Sequence, residues 1–289
     1  MTEPPARGIA PPRLGTVDEA FLTAGHVWLY EYPDGTPFES RLGSDGRLRF
    51  AFADGRKAAE RPRRWVSGEA VPPAFGFVVG YLRTRFDRTA LRHAVDDPTA
   101  VTLRCVAVHR RHRGYDWTRA PPVVGVDVDY PESQLLPHEL ERVFDELGVP
   151  TLPTIDTEVH VRDIGSAGIA PPESQWGEEP AYGVLYRKKG GGAARTVAGE
   201  YEGEPPPAQP ITSSVEEYAV SVTSDEVLRS LVEAVGPSPS VSRLTDAAVD
   251  RTVRADWCRL AHGETTVDIE ELRSAIARRV DAFLRGGSD

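Results

Sequence analysis

Three stretches of this 289-residue chain hold side chains whose types and spacing could do chemistry. The first is Glu31-Tyr32-Pro33-Asp34-Gly35, two carboxylates around a phenol, closed by a glycine. With no Cβ, Gly35 lets backbone approach a ligand closely. Asp34 is either ordinary turn chemistry before a glycine or a group aimed at a phosphate. The second is Asp127, mid-strand between valines. An unpaired buried carboxylate there would be costly, so it needs either a partner in a pocket or a structural hydrogen bond. The third is the basic run His109-Arg110-Arg111-His112-Arg113, followed by Tyr115, Trp117 and Arg119. Arginine pairs bidentately with phosphate and aromatic rings stack on unpaired bases. Arg110, Arg111, Arg113, Trp117 and Arg119 are therefore candidates for nucleic-acid binding, against the alternative of a solvated face. His109 and His112 have no third ligand nearby, so no metal site is expected. Lys188 and Lys189, ahead of Gly190-Gly191-Gly192, fit either a flexible surface turn or a phosphate-binding hairpin.

Composition narrows the classes these residues could serve. The length suits one large or two modest domains with a sizeable core. No apolar run approaches the ~18 residues of a membrane span, and residues 1–12, rich in proline and small side chains, do not read as a signal peptide. A cytoplasmic location is the expectation. Cys105 and Cys258 lie far apart and are expected to be buried, reduced thiols. The net charge of −10 is uneven: residues 1–120 carry 19 Lys+Arg against 14 Asp+Glu, the remainder 15 against 30. A basic N-terminal part on an acidic protein is what a nucleic-acid-facing domain would show.

The elements that must position these residues are legible in outline. Residues 17–22 form a short apolar-patterned entry. Val27 to Phe52 reads as a strand, a Pro-Asp-Gly bend and a second strand returning as its hairpin partner, with a further turn at Ser44-Asp45-Gly46. A turn at Asp54-Gly55 and a charged loop over residues 56–64 follow. Phe75 to Leu82 is an apolar run, and Asp87 is a helix N-cap for a helix carrying Leu91 and Val95. Strands are expected at Val101–Val108, Val123–Val128, Glu158–Val161 and Tyr182–Tyr186, with Arg195–Tyr201 pairing back on the last. Leu140, Val143, Phe144 and Leu147 have helical spacing, stopped by Gly148. After Pro205-Pro206-Pro207 the pattern turns helical. Thr223 and Glu226 read as a capping box for a helix through Val235, with Leu228 and Leu231 inward. Asp268 caps a last helix whose Ile269, Leu272, Ile276, Val280 and Phe283 form one apolar stripe, read as core packing. The expected organisation is a tail (1–19), an α+β body (20–205), a linker (206–213) and a small helical C-terminal domain (214–289).

Several stretches, in order, resemble ATP-dependent RNA ligases of the covalent nucleotidyltransferase superfamily. Glu31-Tyr32-Pro33-Asp34-Gly35 is similar to the family's Glu-Lys-x-Asp-Gly. Tyr115-Asp116-Trp117 with Pro121-Pro122 resembles the lead into the strand under the purine, here Val124-Gly125-Val126-Asp127-Val128. Leu147-Gly148-Val149-Pro150 looks like the connection after the following helix. Gly183-Val184-Leu185-Tyr186-Arg187 looks like the strand opening Glu-Gly-Val-Val, and Arg195 falls where the next motif has lysine. The resemblance implies a nucleotidyltransferase (ATP-grasp-like ligase adenylation) body of antiparallel sheets and helices. It assigns nucleotide contacts to Glu31, Asp34, Gly35, Val106, Asp127 and Arg195.

Three positions depart from the pattern. Tyr32 stands where the family lysine attacks the α-phosphate of ATP, and a phenol near pKa 10 is a poor substitute for a neutral amine. Val106 replaces the glutamate that contacts the ribose, and Tyr182 replaces the glutamate that organises metal and phosphates. Metal-assisted phosphoryl transfer needs anionic ligands, which these exchanges remove. The expected function is RNA-ligase-like binding of a nucleotide or RNA without a lysyl-AMP adduct, a pseudoenzyme. The alternatives are an active ligase or nucleotidyltransferase using atypical residues, or a non-enzymatic protein-interaction module built on the helical domain. ATP and Mg²⁺ would be cofactors if any activity is retained, and none otherwise.

Overall fold

The computed structural model describes residues 9–17, 21, 23–53, 64–131, 134–165, 167–189 and 191–286. Lys57, the Asp54-Gly55 turn, most of the 56–64 loop and Gly190 lie outside them. The chain divides into two compact units. One takes the described residues up to Val71, with Val78–Val108 and Val123–Glu204; the other takes Pro72–Phe77, His109–Pro122 and the residues from Pro205 on. The expected α+β class, with antiparallel sheets and a helical C-terminal part, is what the chain adopts.

The first unit is built on β1 (His26–Tyr32), β2 (Gly35–Leu42), β3 (Leu48–Phe52), β4 (Val66–Ser67), β5 (Thr102–Val108), β6 (Val123–Asp129), β7 (Thr154–His160), β8 (Gly183–Lys188) and β9 (Ala193–Val197). These form a four-stranded sheet ordered β7-β1-β8-β9 and a five-stranded sheet ordered β4-β3-β2-β5-β6. All the strand pairings are antiparallel. Helices α1 (Gly76–Arg85), α2 (Arg88–Ala94) and α3 (Pro137–Glu146) accompany them. Asp87 caps α2 by accepting from the amides of Thr89 and Ala90, at 2.8 and 2.9 Å. Val95 lies just past the end of that helix.

The sequence expectation of a hairpin across Pro33-Asp34-Gly35 is not met. β1 pairs with β7 and β8, whereas β2 pairs with β3 and β5, so the bend carries the chain from one sheet to the other. Pro33 supplies the reason. A two-residue hairpin turn needs positive φ at its first central position, and the proline ring fixes φ near −65°. The true hairpin is β2–β3, closed at Ser44-Asp45-Gly46, with Leu42 opposite Leu48 and Gly46 at φ 71°.

Within the expected tail, Leu14 is buried with Val27, Leu29, Val184 and Tyr186. Arg195 fastens this segment, its amide donating to Pro12 O at 2.9 Å and its Nε to Pro11 O at 3.0 Å.

The second unit packs α4 (Val215–Val222), α5 (Asp225–Val235), α6 (Val241–Ala255), α7 (Trp257–Leu260) and α8 (Ile269–Gly286) around Leu228, Leu244, Leu272, Ile276 and Val280. The α8 stripe is core, as its spacing implies, and Asp268 caps it through the amides of Glu270 and Glu271. The N-cap of α5 is Ser224, which accepts from Val227 N at 3.3 Å. Thr223 instead closes α4, its hydroxyl donating to Ala219 O at 2.5 Å. The reciprocal capping box belongs to Ser214 and Glu217 at the start of α4, a Ser-x-x-Glu signal one helix earlier. Cys105 is buried but Cys258 is only half-buried, so the pair of buried thiols holds for the first alone. Among the described residues no helix is long and apolar enough to cross a membrane.

Candidate functional site

The sheet-to-sheet crossing places Glu31 and Tyr32 at the end of β1, Asp34 in the bend and Gly35 at the start of β2, all of them inside the first unit. Gly35 is required there, though by the protein's own backbone. At φ 148°, a Cβ would lie 2.1 Å from Ala107 O of β5. Asp34 is fully buried. Glu31 is committed to a loop: its carboxylate accepts from Ser174 Oγ at 2.5 Å and from Gln175 N at 2.8 Å. Hydrogen bonds to a charged group are worth about 1.5–3 kcal/mol, so Glu31→Gln should lower stability by about that much in denaturant titration. A change below about 0.5 kcal/mol would show that the loop does not depend on the charge.

Tyr32, 2% exposed, pairs with Gly183 of β8. The Arg195 guanidinium from β9 lies 5.0 Å from the centre of its ring, within cation–π range. The structure thus brings together the two positions that the resemblance matches to family lysines. Tyr182 is buried and stacks on Tyr201 at 5.5 Å, its carbonyl accepting from Ala198 N. Neither described lysine substitutes at position 32. Lys188 pairs with Val27, at the other end of the β1–β8 ladder from the Tyr32–Gly183 pair, about 17 Å away at ~3.3 Å per residue. Lys189 is bridged to Glu158 at 2.7 Å.

Beside these residues runs a charge ladder that sequence reading caught only at Asp127. Glu39, Arg104 and Asp127 stand opposite one another on β2, β5 and β6, so they share one face of the five-stranded sheet. Arg104 bridges Glu39 at 3.5 Å and also Asp129. Arg187 of β8 closes the ladder from the other sheet, with Nη1 3.1 Å from Asp127 Oδ1 and Nη2 donating to Val126 O. Buried charges persist when paired and hydrogen-bonded, which accounts for Asp127 mid-strand. The signal that flagged Asp127, a charge inside an apolar strand, was equally present at Glu39 and Arg104. Val106 is packed between Pro37 and Val124 and offers a ligand no polar group. Nearby, Tyr30 donates to Glu141 of α3 at 3.1 Å, and burial and that carboxylate hold its phenol far above its usual ionisation range. Burial and then Glu39 push the Cys105 thiol up likewise, leaving it inert.

This donor set does not fit a divalent cation. Glu39, Asp127 and Asp129 are engaged by arginines, and among the described residues no three acidic, histidine or cysteine side chains converge.

The basic loop belongs to the second unit. Arg110 and Arg119 are exposed and Arg111 half-buried. Arg113 is buried, lies 4.7 Å over the Tyr115 ring and donates to Gly114 O. Trp117 carries Arg254 over its ring at 4.9 Å. Two of the five candidate nucleic-acid residues are therefore used inside the fold. His109 is buried, 4.1 Å from the Trp257 ring, so the His109/His112 pair is not an open chelating site.

No protein-family model and no curated protein matches the chain. Among solved structures it is similar to the Naegleria gruberi RNA ligase. For a lysine-to-methionine mutant with AMP and Mn, the TM-score is 0.49 at 11% identity, covering 69% of this chain and 58% of that one. For a lysine-to-alanine mutant with ATP and Mn, the TM-score is 0.48 at 12% identity over the same shares. An archaeal ATP-dependent RNA ligase matches at TM-score 0.42 and 12% identity, over 96% of this chain and 65% of that one. The matched region thus spans less than two thirds of either ligase.

Proposed function

We propose that the first unit is an RNA-ligase-like nucleotidyltransferase body that binds a nucleotide or RNA and forms no lysyl-AMP. The observation that carries this reading is the residue at position 32: a buried tyrosine under Arg195, in the frame where a ligase holds its attacking lysine. A tyrosine carries no amine, so no phosphoramidate with AMP can form at this position. Support for the nucleotide side comes from placement. Glu31, Asp34, Asp127 and Arg195, singled out by motif order, fall on β1, the bend between β1 and β2, β6 and β9, all in one unit.

The test uses α-labelled ATP with Mg²⁺ or Mn²⁺, followed by denaturing electrophoresis. No covalent label is expected, whereas ATP or AMP should stabilise the protein, by about 2.7 kcal/mol at about a hundredfold excess over Kd. Arg195→Ala should remove that stabilisation. An acid-labile label would overturn the proposal, because it would report a phosphoramidate. An acid-stable label lost in Tyr32→Phe would favour an active enzyme with a tyrosine nucleophile. Failure to bind ATP, AMP or RNA would leave the interaction-module reading.

A further inference from the structure

The face of the five-stranded sheet that carries the ladder ends in a cluster of cations that the nucleotide reading does not use. Arg41 of β2 and Arg49 of β3 are direct cross-strand partners, a pairing of like charges that destabilises a sheet unless something offsets it. Arg49 is offset by Asp45 at 2.7 Å. The Arg41 guanidinium lies over the half-buried ring of Trp65, 4.2 Å from its centre, just before β4. Arg47, largely exposed, approaches Glu69 at 3.9 Å. Arg92 of α2 reaches the β2–β3 turn, its Nη2 2.9 Å from where a Cβ on Gly46 would sit. Four guanidiniums thus converge beside two carboxylates and one indole, and among the described residues Arg41 and Arg92 have no carboxylate partner.

We propose that this platform binds single-stranded nucleic acid: Arg47, Arg49 and Arg92 take backbone phosphates while a base stacks on the Arg41–Trp65 pair. Phosphate alone would be met by dispersed arginines. A guanidinium held against an indole adds a flat π surface that accepts any unpaired base, the combination by which single strands are held without sequence preference. The inference rests on the reading above only in taking a nucleic acid as partner. It moves the contact away from the Arg110 loop, where the arginines on Tyr115 and Trp117, Arg113 and Arg254, are buried, whereas Arg41 and Trp65 are only half-buried.

The experiment is fluorescence anisotropy of the full chain with a labelled, unstructured oligouridylate across a salt series, with ATP binding measured in parallel. Trp65→Ala is expected to weaken binding about tenfold. Arg47→Glu with Arg92→Glu, both at exposed positions where misfolding is not at issue, should weaken it at least about tenfold and flatten the log K against log salt slope by about 0.7 per contact removed. ATP binding should be unchanged in these variants. Oligothymidylate showing the same sensitivities supports the surface as a reader of single strands of either sugar. The proposal is overturned if the oligonucleotide does not bind at low salt, or if only Arg110→Ala and Arg119→Ala weaken it. It is also overturned if heparin binds equally well and Trp65→Ala has no effect, since that reports a bare polyanion patch. In each case ATP binding separately decides the nucleotide reading.

Discussion

Arg254→Ala is expected to lower the stability of the helical unit by about 3–5 kcal/mol, the scale of a broken buried ion pair with its hydrogen bonds. Arg254 is fully buried on α6. Its Nη1 is 3.1 Å from Asp250, its Nη2 donates to Ala120 O at 2.8 Å and to Pro121 O at 2.9 Å, and its guanidinium covers Trp117. Its own carbonyl accepts from Arg110 N at 2.9 Å. Truncation leaves the buried Ala120 carbonyl and the part-buried Pro121 carbonyl without that donor and opens a large cavity at once. Lysine should rescue little, because an ammonium cannot reproduce the planar fork that reaches two carbonyls and a carboxylate while stacking on a ring. Urea unfolding followed by tryptophan emission would report this through Trp117 and Trp257. An Arg254→Ala midpoint corresponding to less than about 1 kcal/mol would show that the 109–122 segment is held by other contacts.

Gly35→Ala should be comparably severe, at least about 3 kcal/mol, for a different reason. The new Cβ would meet Ala107 O at 2.1 Å and the Val106 side chain at 3.1 Å, at a φ of 148° that L-residues rarely adopt. The obstacle is main chain of β5, hydrogen-bonded between β2 and β6, so it cannot step aside without breaking the register of Gly35 opposite Val108. Gly80→Ala is the matched control. It lies inside α1 with nothing within 4 Å of the added carbon, and should stabilise by about 0.5–1 kcal/mol. Thermal melts of the two variants should move in opposite directions. A Gly35→Ala protein melting with the parent would mean that β5 can yield at Ala107 without cost to the β2–β5 register.

Local pattern made much of the fold legible. Asp87, Asp268 and Gly148 mark helix ends because capping is settled within a few residues, and the α8 stripe marks a core because its period is that of a helix. Thr223 misled only by one position, since Thr223 and Ser224 both offer a hydroxyl and the register of α4 decides which faces which helix. The charge ladder was hidden for another reason. Glu39, Arg104, Asp127 and Arg187 are scattered over 148 residues, and only strand pairing makes them neighbours.

By itself the sequence determined that position 32 holds no amine and where most strands and helices lie. These depend on one residue's chemistry or on short-range periodicity. Only the tertiary structure decided that β1 and β2 join different sheets, that Glu31 anchors a loop, that Arg113 and Trp117 are spent inside the helical unit, and that Arg41 rests on Trp65. Each of those outcomes turns on which distant strand or helix comes alongside, and the energy that settles it is shared across the whole packed unit.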